Sequence, residues 1–129
     1  TYIYGYNNTL PIAKIEGLKY ADILYIMKAQ DNAGLDIVQK SNQDISSTDN
    51  TNEQLLRDAL ETFRKKPEFK NYLITTYTYD PLIGVKSVTS PNGFTEYYFY
   101  DNQNRLIRIE DTNHNVIREN KYQQNVYTN

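Results

Sequence analysis

A repeat of 21 residues constrains the fold of this chain more than any other feature of its sequence. The segment Tyr77-Thr78-Tyr79-Asp80 aligns with Tyr98-Phe99-Tyr100-Asp101, and the same register places Asn92 on Asn113. A repeating unit buries its apolar surface by pairing with neighbouring units, so the pattern predicts a series of similar β-structures. In both copies apolar residues follow the Asp at the fifth and eighth positions, namely Val85 and Val88, then Leu106 and Ile109.

A third and weaker copy opens the chain. There Tyr4-Gly5-Tyr6-Asn7 replaces the Tyr-x-Tyr-Asp signature, and Ile12 and Ile15 occupy the fifth and eighth positions. These positions have opposite parity, so a regular strand would direct their side chains to opposite faces of a sheet. Two explanations remain open, a β-bulge between the positions or a sheet that is covered on both faces.

The first part of the chain predicts a β-hairpin followed by helices. Residues 1–7 alternate Tyr2, Tyr4 and Tyr6 on one side of a strand, residues 10–16 form a second strand, and Asn7-Asn8 joins them, since Asn tolerates left-handed backbone. From Leu18 the spacing becomes helical, and we expect Gly34 to end this helix. The apolar stripe of this helix contains Tyr20, Ile23, Leu24 and Met27.

A polar stretch over residues 41–52 predicts a loop after a short helix that carries Leu35 and Val38. A further helix is expected over residues 53–66, with Thr51 and Gln54 as a capping box and cations before Pro67 at its end. The expected apolar face of that helix is Leu55, Leu56, Ala59, Leu60 and Phe63.

After Tyr72 the spacing of apolar residues returns to two and predicts five strands joined by short turns. The strands are expected over residues 73–80, 85–89, 95–101, 106–110 and 116–122. Asn92-Gly93 is typical of a two-residue hairpin turn with positive φ angles, and His114 takes the Gly position in the equivalent turn.

Together these elements predict one α+β domain over residues 1–129. We expect an antiparallel, hairpin-built sheet of about six or seven strands, with a helical insertion packed on one face. The expected parts are a first hairpin (1–17), the helical insertion (18–72), the repeat hairpins (73–122) and a tail (123–129). Because the strand pattern begins at Thr1, we interpret the chain as a segment of a longer protein.

Composition excludes several classes of function. The formal net charge is −2, whereas a nucleic-acid-binding domain would concentrate basic residues. The sequence contains no apolar run long enough for a membrane span, and it has no Cys for disulfides or thiolate chemistry. No charged and apolar leader follows Thr1, so a secretion signal would lie outside this segment.

The Tyr-x-Tyr-Asp copies, Asn104-Arg105-Leu106 and the turn Asp111-Thr112-Asn113-His114-Asn115 resemble the YD-repeat, or Rhs-repeat, family over residues 74–122. The resemblance implies the C-terminal segment of a large secreted bacterial repeat protein. Such proteins form long β-sheet arrays that wrap into shells around toxins or act as surface and adhesion proteins, and some are labelled carbohydrate-binding. The resemblance implies no catalytic residue. Departures from the family unit are Asn104 and His114 in place of Gly, and Gly84-Val85 in place of Arg-Leu.

The residues that could carry a site favour structural roles. His114 is expected in a turn, and Asp111 to Asn115 lacks the Gly and Glu of a calcium loop, so we expect no metal site. Asp80 and Asp101 are expected to bond backbone N–H groups in turns. The repeat signature, expected to be structural, comprises Tyr4, Tyr6, Tyr77, Tyr79, Asp80, Tyr98, Tyr100, Asp101, Arg105 and Leu106.

Tyr77, Tyr79, Tyr98 and Tyr100 form either a cross-strand ladder that stabilises the sheet or a platform for a ligand. The sequence therefore predicts a non-catalytic structural and adhesive terminal module, extracellular or on the cell surface, without a cofactor. Its expected partners are upstream repeats and a glycan or surface protein, with no nucleic acid and no membrane insertion. The alternatives are a carbohydrate-binding module and a small toxin or hydrolase domain carried by a repeat protein.

Overall fold

A computed structural model describes residues 1–45 and 50–122 of the chain. In these residues seven strands form one antiparallel sheet in chain order, and the α-helices lie between the second and third strands. The strands are β1 (Tyr2–Gly5), β2 (Leu10–Glu16), β3 (Leu73–Asp80), β4 (Gly84–Thr89), β5 (Thr95–Tyr100), β6 (Leu106–Glu110) and β7 (Val116–Glu119). The helices are α1 (Tyr20–Met27), α2 (Asp36–Asp44) and α3 (Thr51–Arg64), with 3-10 turns at Asn32–Gly34 and Pro67–Phe69.

The expected α+β fold, with helices packed on an antiparallel sheet, is confirmed. β2 pairs with β3 as an antiparallel neighbour even though all the helices separate them along the chain. The core lies between the helices and the first three strands. It contains Ile3, Tyr6, Ile12, Ala13, Ile15, Ile23, Leu35, Ile37, Val38, Leu56, Leu60, Phe63, Phe69 and Ile74. The expected tail (123–129) and residues 46–49 of the expected loop lie outside the described residues.

Three hairpin turns in the repeat region share one geometry. In residues 90–94, 101–105 and 111–115 the first residue's N–H donates to the last residue's carbonyl at 2.9 Å. In each turn the fourth residue has a positive φ, which is 86° at Gly93, 60° at Asn104 and 63° at His114. The prediction of a two-residue turn at Asn92-Gly93 was therefore wrong. Only Gly93 of that pair is left-handed, as in three-residue hairpin loops that begin with a type I turn.

β-Bulges explain the opposite parity of the fifth and eighth repeat positions. Thr78 pairs with Ser87 but Tyr79 pairs with Val85, which leaves Lys86 as the extra residue. The same shift occurs in the β5–β6 pair, where Ile107 is extra, and in the β1–β2 pair, where Ile12 is extra. An extra residue reverses the alternation beyond it, so the bulge accounts for the spacing.

These registers also correct the alignment of the first copy. Tyr4 pairs beside the bulge as Tyr79 and Tyr100 do, so Tyr2-Ile3-Tyr4 is the structural equivalent of Tyr-x-Tyr. Tyr6 does not continue the face of Tyr2 and Tyr4, because the chain turns at Tyr6, Asn7 and Asn8, all with positive φ. This turn carries Tyr6 into the core, where its side chain is 1% exposed.

The helices differ from the sequence prediction mainly at their ends. α1 ends at Lys28 in a left-handed conformation, and Gly34 lies in a 3-10 turn further on. α2 extends to Asp44, so part of the polar stretch is helical. It buries Ser41 and Asp44 because both side chains bond Tyr6.

The predicted capping box of α3 is absent. Asn50 occupies the N-cap position, and the Gln54 amide donates to Asp58 at 2.9 Å instead of reaching back to the helix start. Leu55 lies outside the buried face of the helix and is exposed, whereas Leu56 and Leu60 enter the core. The buried apolar stripe of α3 is therefore narrower than predicted.

Candidate recognition surface

The two faces of the sheet have different chemistry. Thr76 and Thr78 are buried towards α3, and since side chains alternate along a strand, Tyr77 and Tyr79 point to the other face. We call this other surface the Tyr face. Its tyrosines are Tyr2, Tyr4, Tyr77, Tyr79, Tyr98 and Tyr100.

Two of the four predicted platform tyrosines tie neighbouring hairpins together. The Tyr79 hydroxyl donates to the Pro11 carbonyl at 2.6 Å, and the Tyr100 hydroxyl donates to the Val85 carbonyl at 2.7 Å. Both carbonyls lie at the bulge of the preceding hairpin. Burial raises the pKa of Tyr79 to about 12. These hydroxyls are therefore engaged within the sheet.

Tyr122 makes the same kind of tie. Its hydroxyl donates to the Leu106 carbonyl at 2.6 Å, and Leu106 pairs with Tyr100 beside the next bulge. The Arg105 guanidinium lies over the Tyr122 ring, 4.2 Å from its centroid. The tie thus recurs once for each hairpin of the repeat region.

The hydroxyls of the other two predicted platform tyrosines, Tyr77 and Tyr98, make no bond to a neighbouring hairpin among the described residues. Tyr77 stacks against Tyr79 with ring centroids 6.4 Å apart, and its hydroxyl has no hydrogen bond among the described residues. Tyr98 donates to Glu96 at 2.9 Å, and burial together with this bond raises the pKa of Tyr98 to about 12. Tyr77 and Tyr98 are both half-buried, so they offer ring edges and hydroxyls to a ligand.

The most exposed aromatic cluster is a groove beside β1, which we call the Tyr groove. It has a volume of about 320 Å³ and is lined by Tyr2, Tyr4, Asn8, Tyr20 and Asn32. Tyr2, Tyr4 and Tyr20 are 48%, 45% and 37% exposed. This combination of aromatic rings and amides makes the groove the best candidate site on this side of the molecule.

Hydrogen bonds hold the amides of the Tyr groove in place. The Asn32 amide nitrogen donates to the Tyr4 carbonyl at 2.8 Å and to the Asn8 side chain at 3.0 Å. The Tyr20 hydroxyl donates to the side-chain oxygen of Asn32 at 3.2 Å. The sequence predicted an aromatic face at Tyr2 and Tyr4 but placed neither Tyr20 nor Asn32 beside it, because the pairing depends on how the helices return to β1.

The repeat carboxylates lie in turns. Asp80 accepts the Leu82 N–H at 3.1 Å. Asp101 accepts the N–H groups of Gln103 and Arg105 at 2.9 and 3.0 Å, and its other oxygen accepts from the Arg105 side chain. These bonds, led by the Arg105 N–H, lower the pKa of Asp101. Their geometry suits turn stabilisation because every donor is local.

A buried polar network joins α2 and α3 to the sheet. The Tyr6 hydroxyl donates to Asp44 at 2.9 Å and accepts the Tyr79 N–H at 3.0 Å. Burial raises the pKa of Asp44 against the effect of this bond. Glu53 is bound by Arg57 and, at 2.9 Å, by Lys86.

The carboxylates of Asp44 and Glu53 have different surroundings. Burial disfavours the charge of Glu53, but hydrogen bonds from Arg57 and Lys86 outweigh burial and lower the pKa of Glu53. Glu53 lines a cleft beside the sheet, whereas Asp44 is not among the residues of that cleft. Asp44 instead bonds Tyr6 inside the core, and the nearby charge of Glu53 adds to burial in raising the pKa of Asp44.

The described residues contain neither a cluster of metal ligands nor a membrane-spanning helix. Within residues 1–45 and 50–122, no group of three or more His, Cys, Asp or Glu residues is arranged to hold a metal ion. No helix in the described part of the chain has the length and apolar character needed to cross a membrane. Comparison of the chain with protein-family models, curated proteins and solved structures finds no match.

Proposed function

We propose that this chain is a non-catalytic structural and adhesive module at the end of a YD-repeat array, secreted or on a cell surface, which binds glycans through the Tyr groove. The proposed array and location rest on the resemblance of residues 74–122 to YD repeats. The recurrence of the same turn and the same tyrosine tie along the sheet supports a repeat architecture.

The inserted helices also cover part of one edge of the sheet, the β1 edge, whereas the proposed position at the end of the array rests on the resemblance alone. An open strand edge recruits other chains unless it is covered or interrupted. Here the Asn32 side chain bonds the Tyr4 carbonyl, and α2 packs against β1. The inserted helices therefore cover part of an edge that a simple hairpin array would leave open.

The proposed adhesive role is carried by the three half-exposed rings of the Tyr groove. Tyrosine presents a rigid apolar face and a polar tip, which suits the alternating apolar and hydroxyl surfaces of a sugar ring. The Asn8 and Asn32 amides supply directional donors and acceptors beside the rings. Lys14 lies 5.9 Å from the Tyr2 ring centroid and adds one cation at the margin.

Binding of the labelled domain to a panel of bacterial and host glycans tests this proposal. The informative variant is Tyr4→Ala, and the matched control is Tyr25→Ala, because Tyr25 is 86% exposed and lies outside the groove. We expect Tyr4→Ala to weaken glycan binding at least about tenfold, as loss of one stacked ring does in many interfaces. Tyr25→Ala should bind like the wild type.

A third variant, Tyr98→Ala, tests whether glycan binding extends along the Tyr face. The repeat pattern predicts that this variant binds glycans more weakly than the wild type. Circular dichroism and urea unfolding would establish that every variant is folded. Absence of glycan binding by the wild type would refute the adhesive proposal, and equal losses in the Tyr4 and Tyr25 variants would refute its location. The structural role would then be tested alone by attaching the preceding residues of the parent protein.

A further inference from the structure

The face of the sheet that α3 covers is unusually polar where it meets β3, β4 and β5. α3 directs Leu56, Leu60 and Phe63 into the core. Its next stripe, at i, i+3, i+4 and i+7 spacing, is Gln54, Arg57, Asp58 and Glu61, and it faces the sheet across a cleft. The sheet wall opposite this stripe carries Thr76, Thr78, Ser87, Thr89 and Thr95. Helix and sheet therefore meet here through polar groups on both sides.

The cleft has two adjoining parts that share Gln54, Arg57 and Tyr97. The inner part measures about 300 Å³ and includes the hydroxyl wall and Thr112. The outer part measures about 520 Å³ and reaches Asn50, Glu53, Lys86, Phe99 and His114. These volumes lie within the range of small-molecule sites, although the lining is more polar than in most of them.

The polar groups of the cleft keep spare hydrogen-bonding capacity. Thr78 pairs with Ser87 at 2.5 Å and Thr89 with Thr95 at 2.9 Å, hydroxyl to hydroxyl, and each hydroxyl oxygen can accept a further bond. Arg57 lies over the Tyr97 ring, 5.1 Å from its centroid, and its Nε is buried with no hydrogen-bond partner among the described residues. A buried donor without a partner is costly, so an acceptor at this point would stabilise the cleft.

Most of the charged groups on the cleft walls are paired within the chain. Glu53 binds Arg57 and Lys86, while Glu61 pairs with Arg64 and Lys65 at 3.5 and 3.7 Å. Asp58 accepts from Gln54, and His114 contacts Glu110 at 3.2 Å. An anionic ligand would approach Asp58, which has no cationic partner among the described residues, or would have to break one of these pairs, whereas a neutral ligand rich in hydroxyl groups would use the spare donors and acceptors.

We propose that the cleft between α3 and β3–β5 binds a small neutral polyhydroxylated molecule of mono- or disaccharide size, with the Arg57 guanidinium and the threonine hydroxyls as its hydrogen-bonding partners. Tyr97 forms the aromatic wall of this site. Tyr77 and Tyr98 of the Tyr face also line the cleft, but the cleft shares no residue with the Tyr groove, so the proposal is independent of adhesion through that groove.

The test uses the whole chain and a panel of unmodified sugars: glucose, galactose, N-acetylglucosamine, maltose and lactose, with glucose 6-phosphate and glucuronate as charged probes. Chemical shifts of the backbone amides report where each sugar binds. At least one neutral sugar should perturb amides of Thr76, Ser87 and Thr95 at millimolar or lower concentration, more strongly than either charged probe. The affinity is then measured by titration.

The matched variants are Arg57→Lys, which keeps the cation beside Glu53 but removes Nε, and Arg118→Lys on exposed β7. Arg57→Lys should weaken binding about tenfold, in line with loss of one charge-assisted hydrogen bond, and Arg118→Lys should leave it unchanged. If Arg57→Lys unfolds, Thr95→Val provides the second test, because it removes one hydroxyl from the wall and keeps the side-chain shape.

Three outcomes would overturn the proposal. They are the absence of perturbation by every neutral sugar, perturbations confined to the Tyr groove, and stronger binding of the charged probes. Tyr4→Ala should leave binding in the cleft unchanged, so failure of this site and failure of the Tyr groove give separate results.

Discussion

The hydroxyl of Tyr100 provides a sharp test of how the repeat is held together. In Tyr100→Phe the ring stays beside Gly84, where a Cβ would lie 3.4 Å from the ring carbon that carries the hydroxyl. The change removes only the 2.7 Å bond to the Val85 carbonyl. A net contribution of about 0.5–1.5 kcal/mol is usual for one such bond, so we expect the free energy of unfolding to fall by about 1 kcal/mol.

Urea unfolding of the whole chain measures this change. A loss of about 1 kcal/mol should lower the unfolding midpoint by roughly 0.5 M with an unchanged slope, and Tm by about 3–4 °C. Tyr79→Phe should behave in the same way because it loses the 2.6 Å bond to Pro11. Tyr77→Phe is the matched control, since the Tyr77 hydroxyl has no partner among the described residues.

The comparison among these three variants decides whether the ties matter. A Tyr100→Phe variant as stable as the wild type would contradict a stabilising tie, and so would a Tyr77→Phe variant that loses as much stability as Tyr100→Phe. A loss confined to the two tied residues would show that the hydroxyls, and not only the rings, stabilise the hairpin array.

Substitutions at four further sites test the helix contacts. Gly5→Ala should cost about 2–3 kcal/mol in chemical denaturation, because the added Cβ would overlap the side chain of buried Ser41, and Gly5→Ser should cost no less. Arg64→Met should cost at least about 2 kcal/mol by the same assay, since the Arg64 side chain donates to the Ile74, Thr89 and Ser90 carbonyls. An unchanged free energy of unfolding would contradict a stabilising role for these bonds. The pKa of Glu53 is lowered in the fold, so its stabilising contribution is present above pH 4.5 and is lost as pH falls through the folded value; Glu53→Gln should therefore destabilise at pH 7 and approach the wild type in acid. Burial raises the pKa of Asp44, so ionisation of Asp44 destabilises the fold as pH rises above 3.8. The stability of Asp44→Asn relative to the wild type should therefore increase over that range, measured as the unfolding free energy against pH.

The hairpin region was largely predictable from the sequence because its signals are local. The predicted bounds of β2, β3 and β6 match the observed ones, and those of β1, β4, β5 and β7 differ by one to three residues at their ends. The positive φ at His114 followed from its match to a turn Gly. Asp101 makes turn bonds to residues only two and four positions ahead, and such bonds leave a pattern in the sequence.

The helix ends and the two candidate sites were decided by tertiary structure. Tyr6 leaves the Tyr face because it can bond Asp44, 38 residues away, and Tyr79, 73 residues away. Asn32 reaches Asn8 across 24 residues to form the Tyr groove. Periodicity describes which face a residue occupies on its own element, but it carries no information about which distant element meets that face.

The sequence by itself therefore determined the repeating sheet, the positions of its turns and the presence of helices between β2 and β3. The tertiary structure decided that the helices cover the threonine side and leave the tyrosine side open, since either face of a sheet could in principle receive them. It also decided which tyrosines are ties and which are available, because a hydroxyl becomes a tie only when the neighbouring hairpin places a carbonyl within bonding distance.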